Sequence, residues 1–130
     1  MKTVLLGAGL LAVGVVAGCR NPFASDKLVL LHVSELEAPA TVSASANLSV
    51  VLTVEVGGCV SFDHIEREKA STGATLTAWG RDAGGKNVSC PAFIASEKHA
   101  TSFTPPFASE FTVTVNRGRL SPLTAVVAVQ

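Results

Sequence analysis

The stretch from Leu48 to Val56 constrains the fold more than any other part of the chain. Every second position in it carries a branched aliphatic residue, namely Leu48, Val50, Leu52, Val54 and Val56. Successive side chains of a β-strand point to opposite faces, whereas a helix would scatter these five residues around its circumference. The alternation therefore predicts a strand over 47–56 with one face on a core and the other in water. Gly57-Gly58 predicts a turn directly after it.

Six further segments are short, rich in apolar residues and bounded by turn residues. The predicted strands are 27–35, 47–56, 59–66, 74–81, 100–103, 110–115 and 123–129. Within 59–66, Ile65 interrupts the alternation and predicts a bulge. No helical periodicity is found after residue 19.

About seven short strands in one stretch of about 105 residues predict an all-β domain, and specifically a small immunoglobulin-like β-sandwich. A small closed barrel is the alternative. The strand count and alternation resemble immunoglobulin-like or fibronectin-type sandwiches in general. In true immunoglobulin domains the disulfide has a longer spacing and the Trp lies nearer the first Cys. Here Cys59, Trp79 and Cys90 are more compressed and Trp79 lies nearer the second Cys, so the broader sandwich class is predicted.

The N-terminal segment has the pattern of an export signal. Lys2 is followed by an uncharged apolar run over 3–17, as in the n-region and h-region of a secretory signal peptide. The run is shorter than the roughly 20 apolar residues that cross a bilayer. It ends in Val16-Ala17-Gly18-Cys19, which resembles the lipobox of bacterial lipoproteins.

This resemblance implies cleavage before Cys19 and acylation of that residue, with diacylglycerol on its thiol and a further chain such as palmitate on its amino group. Two or three acyl chains are enough for stable anchoring in a lipid bilayer. Arg20 stands where an aspartate would favour the inner membrane. The resemblance thus implies the outer membrane of a diderm cell, or otherwise the outer face of the plasma membrane.

The chain is accordingly divided into a signal helix over 1–18, the lipidated Cys19 with a short tether over 19–26, and a β-domain over 27–130. Without Lys2 the chain has nine Lys and Arg against ten Asp and Glu. A near-neutral domain of this kind has no basic footprint for nucleic acid. No motif for a cofactor is present.

Cys59 and Cys90 are the two cysteines that remain after Cys19. An even pair in an exported protein predicts a disulfide. Metal ligation or redox chemistry is the alternative, but the Cys-x-x-Cys spacing typical of it is missing.

One face of the strand over 74–81 is a candidate binding surface. Thr75, Thr77, Trp79 and Arg81 share that face, while Leu76 and Ala78 occupy the other. An aromatic ring and an arginine among threonines suit a glycan or a protein partner. The alternative is that Trp79 packs against Phe side chains or covers a sheet edge.

Asp63, His64 and Glu66 form the compact polar cluster of the predicted strands. Alternation places His64 and Glu66 on one face and turns Asp63 away. One His and one carboxylate make an incomplete zinc or copper site, so His32 or His99 would have to complete it. The structural alternative is a strand end with a partly buried histidine, and no metal is predicted.

The leading hypothesis is a non-enzymatic envelope lipoprotein, tethered to the bilayer through acylated Cys19, with a structural or protein-binding β-domain. Motifs for nucleophilic or phosphate chemistry are missing from the sequence. The alternative function is a periplasmic hydrolase inhibitor or small-ligand binder, in which the loop Gly84-Gly85-Lys86-Asn87 would enter an enzyme cleft. A metal-dependent protein built on His64 is the third hypothesis.

Overall fold

The computed structural model describes residues 26–85 and 87–130. Within them the chain forms nine strands and no helix, which confirms the all-β class. The strands are β1 (Lys27–Leu30), β2 (His32–Glu37), β3 (Thr41–Val42), β4 (Leu48–Gly57), β5 (Val60–Lys69), β6 (Gly73–Asp82), β7 (Ile94–Phe103), β8 (Glu110–Val115) and β9 (Leu123–Val129). The predicted signal segment and Cys19 lie outside the described residues. A helix able to cross a bilayer is not found in the described part of the chain.

The strands are joined in one curled, open sheet. β4 pairs with β2 along one edge and with β7 along the other, both antiparallel. β6 pairs with β5, and its other edge is shared by β8 and β1. β8 pairs with β9, which pairs with β3. β2, β4 and β7 form one group of strands, and β1, β5, β6, β8, β9 and β3 form the other. The two groups meet at the pair Gly57–Val60 in the β4–β5 turn, so the predicted division into two separate sheets is not confirmed.

The core fills the concave side of this sheet. Alternate residues of β4, β6 and β8 point inward because the period of a strand is two. Among the described residues, the hydrophobic ones with no exposed surface are Val33, Leu48, Val50, Leu52, Val54, Leu76, Ala78, Phe111, Val113, Val115 and Val127. They form one cluster that draws on both groups of strands, so the two groups are held together by apolar packing.

The first predicted strand is in fact two strands. β1 pairs with β6, whereas β2 pairs with β4. Leu31 lies between them, buried, with its backbone N–H donating to the Ala78 carbonyl at 2.9 Å. The prediction of one continuous strand over 27–35 was wrong because an apolar run looks the same whether or not the chain crosses from one strand group to the other.

Side chains bridge β5 and β7, which face each other across the curl. The Phe62 ring stacks on the His99 ring with 3.6 Å between centroids. Farther along, Arg67 Nη1 donates to the Ser102 carbonyl at 2.6 Å, and Lys69 Nζ donates to the Pro106 carbonyl at 2.9 Å. These contacts join β5 to β7 and to the segment that follows β7.

The predicted disulfide between Cys59 and Cys90 is confirmed. It links the β4–β5 turn to the segment that leads into β7. Gly57 in that turn has a φ of 153°, and a Cβ there would meet the Phe93 carbonyl oxygen at 2.0 Å. The close approach requires glycine.

Replacing both Cys59 and Cys90 with alanine is expected to lower the free energy of unfolding by about 3 to 4 kcal/mol, because an unfolded chain without the cross-link gains entropy. Denaturant unfolding measures this difference. Reducing agent should destabilise the native chain by a similar amount and leave the double variant unchanged. Equal stability of the native chain with and without reductant would contradict the prediction.

Thr53 is buried on the convex side of β4. Its side chain is 8% exposed, and its Oγ1 has no hydrogen-bond partner among the described residues. Because an unpaired buried hydroxyl loses its hydration, Thr53→Val is expected to raise the free energy of unfolding by about 1 kcal/mol. Thr124→Val, at an exposed strand position, is the matched control and should change it less. A destabilised Thr53→Val variant would show that the hydroxyl has a partner in solution.

Candidate functional site

The convex face of β5 and β6 carries the polar residues singled out from the sequence. Leu76 and Ala78 point into the core, so Thr75, Thr77, Trp79 and Arg81 lie on the opposite face. The β5–β6 register sets His64 opposite Trp79, Glu66 opposite Thr77 and Glu68 opposite Thr75. Directly opposite residues of an antiparallel pair are close enough for side-chain contact. Three rows of paired side chains therefore run across this face.

The irregularity in β5 lies at Asp63, between Phe62 and His64, and not at Ile65. Asp63 consequently does not turn away from its neighbours, as strict alternation had implied. Its carboxylate accepts a hydrogen bond from Arg81 Nε at 2.8 Å and another from His64 Nδ1. Asp63 thereby orients the two side chains at one end of the face.

These contacts change the acidity of Asp63. The hydrogen bond from His64 and then the hydrogen bond and charge of Arg81 lower the pKa of the Asp63 carboxyl below its ordinary value. Each of them favours the ionised carboxylate. Asp63 is therefore a stable anion beside Arg81.

The side chain of Trp79 is also fixed by a hydrogen bond. Its Nε1–H donates to Glu66 Oε2 at 2.8 Å. The half-buried indole stands at one side of a depression of about 240 Å³. The residues that line it are Glu66, Glu68, Thr75, Thr77, Trp79 and Asn116. The depression thus offers one aromatic ring, two carboxylates, two hydroxyls and an amide.

Sequence reasoning missed Glu68 and Asn116 as members of this site. Asn116 follows β8, which runs parallel to β6, and its N–H donates to the Leu76 carbonyl at 2.8 Å. That pairing is between residues forty apart, so no local pattern could indicate it. Glu68 belongs to the charged strand end over 66–69, where two-residue spacing from Glu66 was the available signal.

The histidines do not converge. His32 of β2 lies opposite Glu55 of β4. His99 stacks on the Phe62 ring, and its Nε2 donates to Glu97 at 2.9 Å. His64 and Glu66 are joined instead to Asp63 and Trp79. Among the described residues there is no group of three possible ligands that could hold a metal ion.

The loop that was predicted to enter an enzyme cleft follows β6. Gly84 donates its N–H to Asp82 Oδ1 at 2.8 Å, and a Cβ at this position would lie 3.5 Å from Cys90 Sγ. Lys86 is outside the described residues, so the geometry of the whole Gly84–Asn87 loop is not described.

No match to this chain was found among protein-family models, curated proteins or solved structures.

Arg81→Gln is expected to raise the pKa of Asp63 toward its ordinary value, since one of the two groups that favour the carboxylate is removed. Carboxyl NMR titration measures this pKa. A lowered pKa in the folded state means that ionised Asp63 stabilises the fold above its unfolded pKa, and that this contribution is lost as pH falls through its folded pKa. The stability difference between native chain and Arg81→Gln should therefore shrink in acid.

Arg119→Gln removes an exposed arginine from the loop after β8 and serves as the control, which should leave the Asp63 titration unchanged. The same Asp63 pKa in the native chain and in Arg81→Gln would rule out the ion pair in solution.

Proposed function

We propose that this chain is a membrane-anchored envelope lipoprotein whose β-domain is a non-enzymatic binding module, and that it recognises its ligand on the convex face of β5 and β6. The observation that carries this proposal is the indole of Trp79, held by Glu66 at the side of a depression lined by hydroxyl, carboxylate and amide groups. Aromatic anchors next to fixed polar groups are typical of binding surfaces.

The chemistry of the depression favours a glycan as the ligand. An indole ring can pack against the apolar face of a sugar, while Thr75, Thr77 and Asn116 offer donors and acceptors for its hydroxyls. Glu66 and Glu68 add acceptors that suit hydroxyl or amino groups. A volume of about 240 Å³ is below the range of roughly 300 to 1,000 Å³ typical of pockets for small molecules. It therefore suits a single sugar unit of a longer chain.

The anchor is supported by the lipobox-like sequence that ends at Cys19. β1 begins at Lys27, so the seven residues from Arg20 to Asp26 separate the acylated residue from the sheet. Seven residues span at most about 24 Å when fully extended. The domain would therefore stay close to its membrane and would bind ligands of the adjacent envelope.

A two-layer sandwich is the finer proposal for the fold. β2, β4 and β7 would form one layer, and β1, β5, β6, β8, β9 and β3 the other. It is supported by the shared apolar cluster between these groups and by the single residue pair, Gly57–Val60, that joins β4 to β5. A sandwich has two such inner faces packed on each other.

The anchor is tested by the intact mass of the protein purified from bacterial membranes. A chain that begins at Cys19 and carries the added mass of two or three acyl chains is expected. Cys19→Ala should keep its signal segment or lose membrane attachment, because the thiol that accepts the lipid is gone. An unacylated native chain in the membrane fraction would refute the lipoprotein proposal.

Glycan binding is tested by fluorescence, since Trp79 is the only tryptophan of the chain and its emission reports the site directly. Solubilised cell-wall glycan fragments should shift this emission in a saturable titration. Glu66→Gln and Thr77→Ala should each weaken binding several-fold, and Trp79→Ala by about tenfold or more when binding is followed calorimetrically. Val126→Ala, on the exposed side of β9, is the control. Equal affinity in all four variants would place the ligand elsewhere.

A further inference from the structure

One end of the sheet brings together the start of β1 and an exposed apolar surface. Lys27 pairs with Asp82, Asp82 with Val60, Val60 with Gly57, and Gly57 with Ile94. Neighbouring strands lie about 4.8 Å apart, so these residues form one row across the sheet. We name the end of the molecule that carries this row the proximal end.

The proximal end displays large apolar side chains to solvent. Phe93 is 57% exposed, Ile94 79% and Val88 44%. Phe93 and Ile94 continue into a shallow surface shared with Pro91 and Ala92. Ile94 also borders a cleft of about 360 Å³ that is lined mainly by apolar residues of β1, β4 and β5. Contiguous apolar surface of this kind marks contact with a partner or a membrane.

The backbone beneath this surface is held in place. The Gly58 N–H donates to the Phe93 carbonyl at 3.1 Å, and the neighbouring Cys59 is joined to Cys90. Gly57 allows the two backbones to approach. The Phe93–Ile94 surface is therefore presented on a preformed support, which reduces the entropy lost on contact.

The charges of the proximal end suit a phospholipid surface. Asp82 in this row is half-buried and accepts a hydrogen bond from the Gly84 N–H at 2.8 Å. The described residues 83–85 and 87–96 are uncharged, as is the segment 56–61, and Lys27 in the row is an exposed cation. Apolar side chains with an adjacent cation are the composition that enters the headgroup region. Acidic groups would be repelled by anionic lipids.

We infer that the proximal end rests on the lipid bilayer, with Phe93 and Ile94 inserted among the headgroups. This inference rests on the proposed anchor at Cys19, because the seven-residue tether leads to Lys27 in the same row. The maximum length of this tether, about 24 Å, keeps that row close to the membrane. A lipid surface is the occupant that the tether delivers to this end of the domain.

The experiment uses the full acylated chain in vesicles, with Trp79→Phe to remove the native fluorophore. Phe93→Trp places a single tryptophan in the proximal end. Val126→Trp places one at a position 56% exposed, in the row of Gly73 and Thr112 at the other end of β6. Phosphatidylcholine vesicles with bromine on the acyl chains near the headgroup serve as the quencher.

Bromolipid is expected to quench the tryptophan at position 93 at least about twofold and to leave the one at position 126 unquenched. Ile94→Trp in the same background should behave like Phe93→Trp, which guards against a local defect of one variant. Equal weak quenching at positions 93, 94 and 126 would overturn the inference. A blue shift that grows with protein density without quenching would also overturn it, since a second copy would then cover the surface.

The mass of the same sample separates the two proposals. An acylated chain without quenching refutes the contact of the proximal end with the bilayer and is consistent with the anchor at Cys19. A chain without acyl groups refutes both the anchor and this contact.

Discussion

The burial of one face of β4 is the constraint on which the rest of this structure depends. β4 is paired along both edges, by β2 and β7, so its backbone groups are satisfied within the sheet. Its inward residues Leu48, Val50, Leu52 and Val54 have no exposed surface. They must be covered by the other strand group, because each buried aliphatic side chain contributes about 1.5 to 3 kcal/mol. The curl of the sheet follows from that requirement.

Strands with regular alternation could be predicted from the sequence nearly to the residue. β4, β6, β8 and β9 begin and end within two residues of the predicted bounds. β7 is longer than the predicted 100–103. Its first half was missed because it carries polar and charged side chains at a sheet edge, which gives no apolar alternation. β3 has two residues, too few for a pattern, and is defined by its pairing with β9.

The candidate site was predictable only in part, for a related physical reason. Alternation in β6 indicated which residues share the face with Trp79. It failed at Asp63, where an irregularity in one strand changes the direction of the side chain. It could not indicate Asn116, which is brought to the depression by the parallel pairing of β6 with β8. Membership of a face is a local property, whereas neighbouring strands are chosen by the whole fold.

The pairing of β1 with β6 has a mechanical consequence. Leu28 pairs with Arg81 and Leu30 with Trp79, so the strand that follows the proposed tether lies directly beside the strand that bears the candidate ligand face. A force between a bound ligand and the N-terminal end would run parallel to these two strands. Their backbone hydrogen bonds would then be loaded together in shear instead of being opened one after another. The load would pass from β6 to β1 through these backbone hydrogen bonds.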